Sequence, residues 1–238
     1  VEGKPMKAVV MAGGLGQRLK PLTKVIPKPL LPIGESSVLE ILLTQLRDCG
    51  FTEICVALNY QSSLFEAFLQ SDRWNMKIYL SKEETPLGTA GPIRLFSEVL
   101  KEPFLVINGD ILTNLDFRVL REYHTQHHAT LTVVTKALTI PLRYGTLETV
   151  DDRVVAIQEK PDVYVDIIAG IYFLDPTAID EIPAGKNFTM IDLLHVLLDK
   201  KRPVSRFALH DYWLDIGNME DYEKAQQLYA DGVLKAKT

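Results

Sequence analysis

Strand-like and helix-like segments alternate along most of the 238 residues, which predicts an α/β chain. The expected architecture is three layers, α/β/α, around a mixed but mostly parallel central sheet. Short β-branched runs recur between amphipathic stretches of helical period, and turn residues separate them. No apolar run reaches the roughly 20 residues of a membrane-spanning helix. With no internal repeat, low-complexity tract or long linker, one domain is expected over 1–238.

The elements follow in order. Lys7–Met11 is a short apolar run ending in glycines, and reads as a buried strand. Ser37 and Glu40 have capping-box spacing, and Leu39, Leu42, Leu43 and Leu46 then repeat at helical period until Gly50. Glu53–Leu58 is a strand, Ser63–Leu69 a short helix and Lys77–Leu80 a strand. Thr89–Val99 is expected to be helical, with Gly91 and Pro92 in its first turn. Phe104–Ile107 is a strand leading into Asn108-Gly109-Asp110, and Asp116 is placed to cap a helix over Phe117–His127. Thr130–Lys136, Tyr144–Val150, Arg153–Gln158 and Ile167–Leu174 read as strands of a less regular second half. Asp175-Pro176 opens a short helix, Met190–Lys200 is amphipathic with Leu193, Leu194, Val196 and Leu197 inward, and Asn218 caps a last helix to about Tyr229.

The composition is that of a soluble globular chain, 47% hydrophobic and 24% charged. With 26 basic against 31 acidic residues the net charge is −5, which excludes a nucleic-acid binder working through a whole-protein basic field. Cys49 and Cys55 are too few for a disulfide framework or a four-ligand zinc site. No signal peptide is visible, so a cytoplasmic, reduced chain with no membrane or nucleic-acid partner is expected; a homo-oligomer stays open. The chain starts at Val1, with Met6 as a second candidate start, and reads as a trimmed segment whose Val1–Pro5 would be a linker remnant.

The strongest chemical signal is Met11-Ala12-Gly13-Gly14-Leu15-Gly16-Gln17-Arg18, directly after the first strand. Glycines there admit positive φ and close approach of the backbone, and successive free N–H groups form an anion-binding concavity. The dinucleotide fingerprint is excluded, because Leu19 stands where a third glycine is needed; no Gly-Lys-Ser/Thr P-loop exists either. Arg18, Lys20, Lys24 and Lys28 follow, the last within a stretch stiffened by Pro21, Pro27, Pro29 and Pro32. A rigid basic loop beside a glycine-rich turn suits a polyphosphate, although a lysine cluster on its own is equally a solvated loop.

Ala12–Leu19 together with Ile26-Pro27-Lys28-Pro29-Leu30 resembles the signature of sugar-1-phosphate nucleotidylyltransferases. Pro86-Leu87-Gly88-Thr89-Ala90-Gly91-Pro92 resembles the family's base-binding segment, in a form closest to the GDP-mannose pyrophosphorylases. Asn108-Gly109-Asp110, Glu159-Lys160-Pro161, Ala169-Gly170-Ile171-Tyr172 and Trp213-Leu214-Asp215-Ile216-Gly217 resemble its metal and sugar motifs, in the family's order from Lys7 to about Tyr222. The resemblance implies a Rossmann-like nucleotide-diphospho-sugar transferase fold, with a nucleotide-binding half at about 6–112 and a sugar-binding half at about 113–238.

It also implies the reaction: a nucleoside triphosphate and a sugar 1-phosphate give an NDP-sugar and pyrophosphate, with Mg²⁺ as cofactor. Ala12, Gly13, Gly14, Gly16 and Gln17 would then hold the nucleotide phosphates, and Glu83, Pro86, Gly88, Thr89 and Asn108 the rest of the nucleotide. Arg18 would take the departing pyrophosphate, Lys28 the α-phosphate or the sugar phosphate, and Asp110 and Asp215 the metal. Tyr144, Gly145, Glu159, Lys160, Ala169 and Gly170 would line the sugar pocket. Taken singly, each aspartate is equally a cap or turn residue, and the Glu-Lys-Pro triplet a charged turn. Ile168 departs from the asparagine that many relatives have before Ala-Gly, which leaves the sugar open.

Base preference is read from Glu83. Many thymidylyl and uridylyl relatives have glutamine three residues before the base-segment proline, where this chain has Glu83, with Glu84 beside it. A carboxylate accepts from guanine's adjacent N1–H and 2-amino donors and has nothing to donate to a pyrimidine carbonyl. GTP with mannose 1-phosphate or a related sugar is therefore expected. The alternatives are uridylyl or thymidylyl transfer, cytidylyl transfer to a non-sugar alcohol phosphate, or a non-catalytic regulatory paralogue. His124 and His128 lack a third ligand and read as a solvated helix face, and His195 as structural; Trp74, Tyr212 and Trp213 read as packing residues.

Overall fold

The computed structural model describes residues 5–14, 16–58, 62–70, 72–83 and 85–234. Leu15, Glu84 and Val1–Lys4 of the expected linker lie outside these residues. In chain order the strands and α-helices are β1 (Met6–Met11), β2 (Pro32–Ile33), β3 (Ser36–Ser37), α1 (Val38–Asp48), β4 (Phe51–Leu58), α2 (Ser62–Leu69) and β5 (Lys77–Lys82). There follow β6 (Phe104–Asn108), β7 (Ile111–Thr113), α3 (Phe117–Gln126), β8 (Leu131–Pro141), β9 (Thr146–Val150), β10 (Arg153–Gln158) and β11 (Asp162–Leu174). The chain continues through α4 (Met190–Asp199), β12 (Val204–Leu209), β13 (Trp213–Asp215) and α5 (Met219–Ala230).

One seven-stranded sheet runs β12-β8-β11-β6-β1-β4-β5. β6, β1, β4 and β5 are parallel, as the alternating pattern predicts, while β11 runs antiparallel to both β6 and β8. Period-two alternation sends successive side chains to opposite faces. Ala8, Val10, Ile54, Val56, Leu105 and Ile107 thus join α1, α2 and α3 on one face. Val9, Cys55, Ala57, Phe104 and Val106 join Ile93, Phe96, Leu193 and Leu197 on the other. Both cysteines are free and buried, and burial pushes the Cys55 thiol up to about 12.

Several expected elements change. Thr89–Val99 forms only a 3-10 turn, Gly91–Phe96, whose entry is anchored by the N–H groups of Ala90 and Gly91 donating to Phe188 O (2.9 and 3.0 Å). Ser37 Oγ accepts from Glu40 N–H (3.1 Å), but the Glu40 carboxylate faces Arg73 (3.2 Å) rather than closing the box. Reciprocal boxes form instead at Thr189/Asp192 and Asn218/Asp221. β12 and the β7–β13 ribbon carry little periodicity and were not expected. β8 and β11 run further than expected, into an exposed arm that ends in the β9–β10 hairpin.

His124 overturns its expected solvated position. It is 3% exposed, with Nδ1 2.9 Å from Thr132 Oγ1, and burial pushes its pKa down to about 4. His195, by contrast, lies on the exposed face of α4. An unfolded chain protonates His124 near 6.5, so below that pH the unfolded state holds the extra proton and stability falls until about pH 4. Urea denaturation across this range should show a loss of roughly 3 kcal/mol at most, and His124→Gln should flatten it.

Candidate active site

The site lies outside the carboxyl ends of β1 and β6, where open α/β sheets bind ligands. The chain leaves β1 through a backbone bond from Ala12 N–H to Ala57 O (2.9 Å) and enters the glycine loop. Gly16 has φ +56°, and a Cβ there would stand 2.7 Å from Thr23 Cγ2 and 3.3 Å from Lys28 Cβ. Only glycine lets the loop close so tightly over the following basic segment. Thr23 Oγ1 fixes the closure by donating to Gly16 O (2.8 Å). Gly14, by contrast, faces open space.

Lys28 opens a 3-10 turn over Lys28–Leu30, between Pro27 and Pro29, and is buried. Its ammonium donates to Asp110 Oδ2 and lies 3.6 Å from Asp215 Oδ1. Sequence spacing said nothing about how Asp110 and Asp215 could meet; the β7–β13 ribbon does it, pairing Ile111 with Asp215. Ile216 N–H closes the ribbon on Asp110 O (3.1 Å). The Oδ1 atom of each aspartate is buried without a hydrogen-bond partner among the described residues. Burial pushes the Asp215 carboxyl above its usual range, the Asp110 charge adds to this, and Lys28 opposes it.

Arg18 is exposed on the Gln17–Leu19 turn, which the fully buried Leu19 anchors. Its guanidinium lies over Gly217, with Nη2 3.3 Å from where a Cβ would stand. Arg18 therefore sits beside the Asp215 strand, with no ion pair among the described residues.

The base segment is bolted to the chain ahead of α4. Phe188 N–H donates to Leu87 O (2.9 Å), Asn187 Nδ2 to Pro86 O (3.1 Å), and Met190 N–H to Thr89 Oγ1 (2.9 Å). Gly88 has φ +80°, and a Cβ there would meet Phe188 O at 2.6 Å. Glu83 Oε2 accepts from Leu87 N–H (2.7 Å), and burial raises the Glu83 carboxyl. Glu83 is half-buried in the cleft wall rather than turned to solvent.

These parts enclose a cleft of about 300 Å³. Of the residues singled out in the sequence, Gly13, Gly14, Lys28, Glu83, Pro86, Gly88, Thr89, Asn108 and Asp110 line it. Ala12 is buried beneath it, and Gln17 points outward. Ala169 and Gly170 stand behind it: Ala169 O accepts from Trp213 Nε1 (2.8 Å), and Gly170, at φ +69°, would drive a Cβ to 2.6 Å from Asn108 Nδ2. Tyr144, Gly145, Glu159 and Lys160 gather separately on the exposed arm, Tyr144 at 81% exposure and Lys160 3.9 Å from Glu159. None of these six lines the cleft. Ile168 is partly exposed on the same arm, opposite Thr135.

Sequence reasoning missed Met11, Pro29 and Asn187. Asn187 left one usable signal, an amide side chain just ahead of a capped helix. Among the described residues no cluster of three or more histidine, cysteine or acidic side chains is built to hold a metal, so any ion here has two carboxylates and needs oxygens from a ligand.

A model of the nucleotidyl transferase family matches residues 7–232. The chain belongs to that family. Mannose-1-phosphate guanyltransferase of Candida albicans is 34% identical over 242 residues, covering 97% of this chain and 66% of that protein. The Pichia angusta enzyme of the same name is 33% identical, with the same coverage. The chain thus spans about 66% of the length of these curated relatives. Among solved structures, HddC from Yersinia pseudotuberculosis complexed with GMP-PN superposes with TM-score 0.74 at 30% identity, over 94% of this chain and 99% of that one. The chain shares the overall fold of that structure.

Removing Lys28 should expose what it balances. In Lys28→Met the two carboxylates face each other without a cation, the Asp215 carboxyl loses the group that opposes its rise, and stability is lost as pH climbs through the carboxylate range. The deficit against wild type should reach about 1–3 kcal/mol at neutral pH, discounted for the partial exposure of Asp215, and narrow towards pH 4. Denaturation midpoints at both ends of that range check it.

Proposed function

We propose that this nucleotidyl transferase makes a GDP-sugar and pyrophosphate from GTP and a sugar 1-phosphate, mannose 1-phosphate or a close relative. One observation carries the reading: a buried lysine and two carboxylates converge beside an open glycine loop, in a cleft whose base segment carries a carboxylate. The likeness to mannose-1-phosphate guanyltransferases supports guanine. The guanine-nucleotide analogue named with the HddC structure supports it too.

In the proposed reaction an oxygen of the sugar phosphate forms a bond to the α-phosphorus. The bond from that phosphorus to the bridging oxygen breaks, and pyrophosphate leaves with the electron pair. The chain supplies no nucleophile, so catalysis rests on positioning and on neutralising charge. The free N–H groups at Gly13 and Gly14 cradle the phosphates, and the open space at Gly14 lets them approach. Arg18, beside Gly217 and without an ion pair among the described residues, takes the charge that grows on the departing pyrophosphate. Lys28 turns from the carboxylates towards the α-phosphate.

Asp110 Oδ1 and Asp215 Oδ1, both buried without a hydrogen bond, fit a hard dication, and Asp110 and Asp215 would hold Mg²⁺ together with ligand oxygens. When bound, the ion supplies charge neutralisation at the phosphates. The arm residues Tyr144, Glu159 and Lys160 reach the sugar side, with Ala169 and Gly170 supporting Asn108 from behind. Two buried free cysteines suit a reducing, cytoplasmic setting. Among the described residues no helix is long and apolar enough to cross a membrane.

Steady-state kcat/KM for GTP, UTP, dTTP, ATP and CTP with one accepted sugar phosphate should rank GTP first. A preference for UTP or dTTP overturns the guanine reading and leaves the family standing. Arg18→Ala should lower kcat by about 10²–10³ with little change in melting temperature, as loss of one preorganised donor does. Because burial raises the Glu83 carboxyl, kcat/KM for GTP should fall on the acid side from above the usual carboxylate range. Glu83→Gln should lose that limb.

A further inference from the structure

We propose that Asn187 supplies the second hydrogen-bond acceptor for the base, reading the 2-amino group of guanine, while Glu83 reads N1–H. The inference rests on the guanine reading above and names the residue that completes it. Guanine's Watson–Crick edge carries two adjacent donors, and sequence reasoning assigned both to the Glu83 carboxylate. The structure leaves that carboxylate less free: Oε2 is committed to Leu87 N–H at 2.7 Å, which holds the base loop closed. One oxygen, Oε1, remains without a partner among the described residues.

Asn187 lines the same cleft as Glu83, Pro86, Gly88 and Thr89. Its amide contacts Pro86 O at 3.1 Å. A carbonyl oxygen only accepts, so the amide must turn Nδ2 towards it, and the other end, Oδ1, is necessarily an acceptor. No described residue donates to that Oδ1. The cleft therefore offers two unpaired acceptors on two segments that are locked to each other. Glu83 is tied to Leu87, and Leu87 is bonded to Phe188, the residue after Asn187.

This arrangement selects by mismatch as well as by match. Uracil and thymine flank their single N–H with carbonyl oxygens, so one acceptor would face another acceptor. Adenine and cytosine each turn a bare ring nitrogen to one of the two positions. Guanine alone of the common bases fills both with donors. Hypoxanthine keeps N1–H and O6 but lacks the 2-amino group, which isolates the role given to Asn187.

The test compares GTP with ITP in the wild type and in Asn187→Ala, by kcat/KM with one accepted sugar phosphate. Asn187 lies at the exposed lip of the cleft, so loss of one hydrogen bond to the 2-amino group predicts that the wild type favours GTP over ITP by about 2- to 13-fold. In Asn187→Ala the ratio should collapse towards one, mainly through loss on GTP, whereas Glu83→Gln should lose activity on both nucleotides. If Asn187 merely bolts Pro86 in place, the variant loses activity on GTP and ITP alike and keeps their ratio, which overturns the proposal. Equal use of GTP and ITP by the wild type overturns it as well, whether or not the variant folds. A wild type that prefers a pyrimidine nucleotide instead defeats the guanine reading itself.

Discussion

Two carboxylates that lie far apart in sequence are forced to be neighbours, and a single lysine makes that tolerable. Asp110 leaves the end of β6, Asp215 ends β13, and the short β7–β13 ribbon sets them side by side. Burial raises the Asp215 carboxyl, and the charge of Asp110 beside it adds to the rise. Lys28 sits against both, on a turn whose backbone is stiffened by Pro27 and Pro29. The tight closure at Gly16 belongs to the same constraint, because it keeps the basic segment pressed against the glycine loop.

The balance explains how a strongly polar site persists at the end of a sheet. The lysine is the site's own counter-ion. Under the proposed function, a phosphate that drew Lys28 away would leave the carboxylate pair a better ligand for a dication, so the two binding events would favour each other by charge alone. The same chemistry explains why each aspartate can leave one oxygen buried without a hydrogen bond.

Much of the fold was legible because its signals are local. The apolar runs of β1, β4 and β6 and the leucine spacing of α1 specify buried strands and an amphipathic helix whatever surrounds them. The Gly13–Gly16 loop was legible for the same reason, since it follows directly on β1, whereas Lys28 and Asp110 were singled out by the family resemblance. What stayed hidden depends on distant partners. Thr89–Val99 has helical periodicity but gives its first N–H groups to Phe188, and no pattern within the segment foretells that. His124 looks like a surface histidine until β8 and β11 cover it. Asn187 belongs to no run at all; its position comes from the bolting of one loop onto another. The residues that the resemblance assigns to the sugar stand apart from the cleft because the long β8–β11 ribbon carries Tyr144, Glu159 and Lys160 outward before returning to the sheet.

The β7–β13 ribbon has a consequence for how this architecture can change. The line between a nucleotide half and a sugar half, drawn near residue 112, falls inside β7, whose partner strand comes from the far end of the chain. β11, from the second half, lies directly against β6 from the first. The halves are interleaved rather than joined end to end, so neither is a module that can be exchanged whole. Recombination at that line would strip β7 of its partner and leave an unpaired edge on β6. The arm is different: it projects beyond the sheet and pairs only with itself, so changes there leave the interleaved core untouched.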